Sequence, residues 1–265
     1  MVKQDISIQL LPGMLQIVGE HQCAGQQPDN LCGPYWAALL LRSRGFHHLT
    51  SEYMAQLAGS VLPTGDPITW LPQGAASKQD YELPLPTALR PEDAGTSAQG
   101  LMTAVAMSEH SHTLLPLQTE WSAEKVAAVL ELCQKHPAWN AVPLCNVRTG
   151  HLWGSHLSVK DAIAYLKGGS ISPPPADWNV GHFMALAGTV AGQTRSLVIV
   201  CDTYPMFGWQ GYHLQSADAI AQALNRDDGY GGGILLFIAT HDREQIEQHA
   251  QAAGFHIEAW DNGSP

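Results

Sequence analysis

The sequence predicts an α+β protein, with N-terminal helices packed on a mostly antiparallel sheet. The apolar residues recur with helical period over the first half of the chain, to about residue 136. From about residue 140 the pattern changes to short apolar runs bounded by Gly or polar turns, as in strands. Helices gathered before strands, rather than alternating with them, favour α+β over a parallel α/β sheet. The chain has 265 residues, 45% hydrophobic, and is expected to form a single domain over 1–265.

Each element has a local reason. "GPYWAALLLRSRG", closed by Gly45, is apolar on most faces and reads as a buried central helix. "LTSEYMAQLAG" opens on Thr50 and Ser51 as cap candidates and stops at Gly59. About 60–95 is irregular, with six prolines between Ser60 and Gly95, and reads as an insertion or a functional loop. A helix follows over Ser97 to Glu109, and another in "WSAEKVAAVLELCQKH" with Ser122 as its cap. "NAVPLCNV", "GHFMALAGTV", "RSLVIVCDTY" and "GGGILLFIAT" are the expected strands. "SVKDAIAYLKGG", capped by Ser158, "SADAIAQALNRDDG" and "HDREQIEQHAQAAG" are the remaining helices. "DDGYGGG", from Asp227 to Gly233, reads as a flexible helix-to-strand turn.

Composition narrows the function. Thirteen basic residues against 24 acidic ones give −11, with no basic cluster, so no nucleic-acid partner is expected. No run of eighteen apolar residues occurs, so no membrane insertion is expected. The first twenty residues carry acids and lack the apolar run of a signal peptide. The five cysteines form no CxxC pair, which argues against a zinc ribbon or disulfide framework and for a reducing, cytoplasmic setting. Four of them are expected to be small core residues. The thirteen histidines include no HExxH; His47, His48, His110 and His112 read as surface loop residues, and no metal or cofactor is expected.

The chemistry-bearing stretch is "GQQPDNLCGPYWAALLL", in which a polar turn ends on Cys32 at the head of the apolar helix. The unpaired N–H groups and dipole of a helix start stabilise a thiolate and can donate to an oxyanion. Gly33 leaves room for a substrate backbone. Gln26, six residues upstream, can fold back as a second oxyanion donor. A thiol nucleophile needs a base, and the base an orienter. With a hairpin turn at Gly192, His182 and Asp202 lie ten residues away on opposite arms and meet on one face. Trp178 and Asn179, after "SPPPAD", lie where a cleft-gating loop would be, and Trp36 reads as core.

Gln-x5-Cys-Gly at a helix head, a strand-borne His and an Asp closing the next strand resemble the papain-like cysteine peptidases. The pattern is most similar to the peptidase domains of bacterial ABC exporters that cut leader peptides after double glycine. The likeness covers Gly25 to Leu41 and Gly181 to Pro205. It implies a papain-like fold and a peptide or amide substrate. Cys32 would be the nucleophile, His182 the base, Asp202 the orienter and Gln26 the oxyanion donor, with Gly33, Trp178 and Gly181 as substrate-binding positions. Leu31 stands where the family often has an acidic residue, and Pro205 comes three residues after Asp202 rather than directly after it. Acyltransferases or transpeptidases of the transglutaminase-like and phytochelatin-synthase-like kinds share the Cys…His…Asp order. A non-catalytic papain-like binding domain is the third reading.

Overall fold

The computed structural model describes residues 6–265; Met1 to Asp5, the start of the N-terminal stretch read above, lie outside it. In chain order the elements are β1 (Ser7–Leu10), α1 (Ile17–Ala24), α2 (Cys32–Arg42), α3 (Ser51–Ala58), β2 (Leu62–Pro63) and β3 (Thr87–Ala88). There follow α4 (Ala98–Ser108), β4 (His112–Leu117), α5 (Ala123–Lys135), β5 (Val142–Arg148) and α6 (Val159–Leu166). The chain ends with β6 (Gly181–Ala191), β7 (Ser196–Cys201), β8 (Tyr212–Gln215), α7 (Ala217–Asn225), β9 (Gly233–Ala239) and α8 (Arg243–Ala252). Serine and threonine caps set several helix starts. Thr50, Ser97, Ser122, Ser158 and Ser216 each accept from a backbone N–H in the first turn of the helix that follows.

The main sheet has the order β4-β9-β5-β6-β7-β8, every ladder antiparallel, with β1 paired to β6 as its seventh strand. This is the expected α+β architecture. α2 packs on β6, α7 on β5 and α8 on β4, and the main core runs from Leu11 to Trp260. Trp36 lies inside it, with its indole N–H donating to the Phe183 carbonyl at 3.1 Å. The Pro-rich stretch adds only the parallel pair β2–β3 and short 3₁₀ turns. His112, expected in a surface loop, instead begins β4 and stacks on Phe237, ring centroids 5.0 Å apart. Cys23 is exposed on α1, so three cysteines rather than four are buried: Cys133, Cys145 and Cys201.

The β6–β7 hairpin differs from the predicted register in an instructive way. Its turn lies over 192–195, where the Gly192 N–H donates to the Arg195 carbonyl at 2.9 Å. From Ala191↔Ser196 to Gly188↔Ile199 the pairing would carry Asp202 opposite Ala185, on the wrong face for His182. A bulge at Ala187 shifts the ladder by one, to Leu186↔Val200 and Ala185↔Cys201. Asp202 thereby follows onto the face of Met184 and His182. It stands diagonal to His182, not directly opposite as the hairpin arithmetic predicts.

Gly188 permits this bulge. Its φ is +156°, and a Cβ there would lie 2.2 Å from the Gln9 carbonyl oxygen of β1. Gly188→Ala is expected to destabilise the protein by about 2 kcal/mol or more, by strand displacement and overpacking. Urea denaturation measures it, and a loss under about 0.5 kcal/mol, the range of a neutral surface change, would contradict this account of the bulge.

Candidate active site

Cys32 is the first residue of α2 and is partly exposed at the wall of a cavity of about 350 Å³. No side chain caps this helix, and Pro34 has no N–H, so the Cys32 and Gly33 amides are the uncapped donors at its start. The turn before it places Asn30 at φ +60°, a conformation asparagine tolerates. Buried Asp29 holds that turn to the Pro-rich segment, accepting from Ser77 Oγ at 2.6 Å and Lys78 N at 3.0 Å. Leu31 packs beneath the same segment with Ala55 and Leu62, with Tyr81 and Leu85 against them. This apolar seat accounts for the leucine before the thiol.

His182 lines the cavity beside Cys32, and Asp202 lies behind it. The His182 Nε2 to Asp202 Oδ1 distance is 3.2 Å, with both residues about 2% exposed or less. Asp202 Oδ1 also accepts from Tyr204 N at 3.2 Å, and its Oδ2 lies 3.9 Å from His213 Nε2. Burial acts to raise the Asp202 pKa, but the charge and hydrogen bonds of His182, then of His213, hold it well below the carboxylate range. Burial likewise acts to lower the His182 pKa, but Asp202, and after it the thiol of Cys32, raise it to about 10. Trp178 sits edge-on to His182 at 5.1 Å, and Tyr204 packs against both, at 5.3 Å from Trp178 and 6.2 Å from His182.

Cys32, His182, Trp178 and Gly181 are thus brought to one cavity, with Asp202 behind the base. Gln26 is not. Its amide donates to the Ala76 carbonyl at 2.6 Å, tying down the Pro-rich segment away from the cavity. Gln27 lines the cavity instead. Its Oε1 accepts from Thr203 Oγ1 and one N–H reaches the Pro28 carbonyl at 3.2 Å, which leaves a second N–H free. Gly33 is buried, and a Cβ there would meet the Phe183 ring at 3.2 Å. Its small size serves packing under the helix rather than substrate approach. Asn179 packs on Gly150 outside the cavity, and Asp177 accepts from Ser155 N at 2.7 Å.

Sequence reasoning missed His213, His21 and the basic wall. His21 is buried, with Nε2 2.7 Å from the Asp202 carbonyl oxygen, which helps fix the backbone of the orienter. Burial lowers its pKa, more than the Asp202 carbonyl and carboxylate raise it. Arg148, Arg226 and Asp228 also line the cavity, so "DDGYGGG" is both the expected turn and part of the site. Among the described residues no group of three or more His, Cys, Asp or Glu is placed to hold a metal.

A protein-family model, described as a family of unknown function, matches residues 11–261. The chain belongs to this family, DUF6885. No curated protein matches it. The matched span contains Cys32, His182, Asp202, Gln27 and both arginines of the cavity. Among the described residues no helix is long and apolar enough to cross a membrane.

The His182–Asp202 pair fixes a pH dependence. The depressed Asp202 pKa contributes stability that is present above about pH 4 and is lost as pH falls toward its folded value. The raised His182 pKa contributes stability that is complete below about pH 6.5. That part is lost as pH rises toward about 10. The Tm difference between the wild type and Asp202→Asn is therefore expected to be largest near pH 5–6 and to narrow toward pH 10. A difference that widens between pH 6.5 and 10 would contradict the assignment.

Proposed function

We propose that this protein is a papain-like thiol hydrolase that cleaves a peptide or amide bond through an acyl-enzyme on Cys32. One observation carries the reading. A cysteine at an uncapped helix start shares a cavity with a histidine whose far nitrogen is held by a buried aspartate. Cys32 attacks the acyl carbon as the thiolate, its proton already held on His182, whose pKa is raised to about 10, and His182 gives that proton to the leaving amine. Asp202 keeps Nε2 protonated, and so directs Nδ1 at the sulfur. The oxyanion is met by the Cys32 and Gly33 amides and by the free N–H of Gln27. Water then attacks the thioester and releases the acid. The buried free thiols fit a reducing compartment, and we place the protein in the cytoplasm on that basis.

Iodoacetamide at neutral pH followed by peptide mapping is expected to label Cys32 first. Cys23 is the informative competitor because it is exposed and does not line the cavity. Faster labelling of Cys23 would sink the proposal. His182→Ala should slow Cys32 alkylation strongly and Asp202→Asn less, because asparagine retains an acceptor oxygen for the ring.

Gln27 separates oxyanion stabilisation from thiol reactivity. Alkylation develops no oxyanion, whereas acyl transfer does. Gln27→Ala should therefore leave iodoacetamide alkylation near wild type and lower turnover of a p-nitrophenyl ester on the order of 100-fold. Gln26→Ala should affect turnover far less. The reverse ranking would return the oxyanion role to Gln26.

A further inference from the structure

We propose that the cavity beside Cys32 takes substrates carrying a carboxylate next to the scissile bond, and that Arg148 binds it. This deepens the hydrolase reading and rests on it. Two guanidinium groups, Arg148 and Arg226, stand on the cavity wall. Arg226 is fully engaged. Its side chain is 4% exposed, with Nε and Nη2 at 2.9 and 2.5 Å from the two Asp228 oxygens and Nη1 at 3.1 Å from the Asn262 carbonyl.

Arg148 is not engaged in this way. Among the described residues its ionic contact is a single one, Nη1 at 3.5 Å from Asp228 Oδ2, the oxygen that Arg226 already holds. Its Nε is buried with no hydrogen-bond partner. One carboxylate therefore faces two guanidiniums, leaving one uncompensated positive charge on the wall of a protein whose net charge is −11. The Arg148 side chain is 26% exposed at the cavity, and an entering anion gives it the full partner that the shared Asp228 does not. The partly exposed guanidinium can give a carboxylate a charge-assisted hydrogen bond. Glu92 also lines the cavity; it is exposed, and its ion pair among the described residues is with Arg90, at 3.9 Å.

Arg148 and His182 stand at the end of β5 and the start of β6 and line one cavity. Arg148 pairs with Gly181 across β5 and β6, one step from Val147↔His182 and so on the other face of the sheet, yet it lines the same cavity at the strand ends. In a cavity of about 350 Å³ shared with Cys32, a carboxylate on Arg148 belongs to the substrate residues presented to the thiol. It is either an acidic side chain or a free chain terminus.

Three affinity labels that alkylate Cys32 separate these sources. They are N-iodoacetyl-glutamic acid α-amide, with only a side-chain carboxylate; N-iodoacetyl-glutamine, with only an α-carboxylate; and neutral N-iodoacetyl-glutamine amide. Saturation kinetics of Cys32 labelling give a KI for each. At least one acidic label is expected to bind roughly tenfold tighter than the neutral one, as for a hydrogen bond to a charged group. The KI ratio should collapse to near unity in Arg148→Gln and survive in part in Arg148→Lys, which keeps the charge without the fork. Each variant is compared with its own neutral label, so a general loss of reactivity does not enter the ratio. Equal KI values for all three labels in the wild type, or a preference that persists in Arg148→Gln, would overturn the inference while leaving Cys32 as the nucleophile. Failure of Cys32 to react with iodoacetamide itself would overturn both.

Discussion

The hydrogen-bonded pair of His182 and Asp202 is the constraint around which the rest of the site is arranged. Both residues lie inside the protein, where an isolated carboxylate would be costly. Every surrounding element supplies something to it: a ring nitrogen from β6, a backbone amide from Tyr204 and a second imidazole from His213 on β8. His21 from α1 and the Gly211 carbonyl grip the backbone of Asp202. Gln27 joins this cluster to the turn before Cys32 through Thr203. The orienter, the base and the helix carrying the thiol are thus mechanically one unit.

Much of this was legible in the sequence, and the reasons are local. Caps such as Ser97, Ser122 and Ser216 act within one turn of their helices, so helix starts could be read from single residues. Cys32 at a helix head follows from equally short-range rules. The shared face of His182 and Asp202 does not, because it depends on the bulge at Ala187, next to Gly188 where β1, distant in sequence, packs on β6. Strand β8 inverts the usual alternation. His213 and Gln215 point inward while Tyr212 and Leu214 are less buried, so its polar residues read as surface. Gln26 and Gln27 differ only in which partner each amide finds, Ala76 or Thr203, and both partners are distant in sequence.

The cavity has the same lesson at larger scale. Its walls come from the Pro-rich stretch, the strand ends of β5 and β6, the 226–230 turn and the C-terminal residues 262–264. Asp29, Leu31 and Gln26 anchor the Pro-rich wall to the turn that presents the thiol. An irregular segment rich in proline thereby serves as a fixed wall beside the nucleophile. The positive charge of Arg148 arises because Asp228 is shared, a fact carried by three residues from two parts of the chain.

The central claim is that Cys32 accepts an acyl group with His182 as its base. Mixing the protein with p-nitrophenyl acetate and quenching in acid, with intact-mass and peptide analysis, tests it most directly. The account predicts a burst of about one equivalent of p-nitrophenolate and a single acetyl group on the Cys32 peptide, with the burst strongly slowed in His182→Ala. Acetylation confined to Cys23 or to lysines, or a burst that is unchanged in His182→Ala, would contradict it.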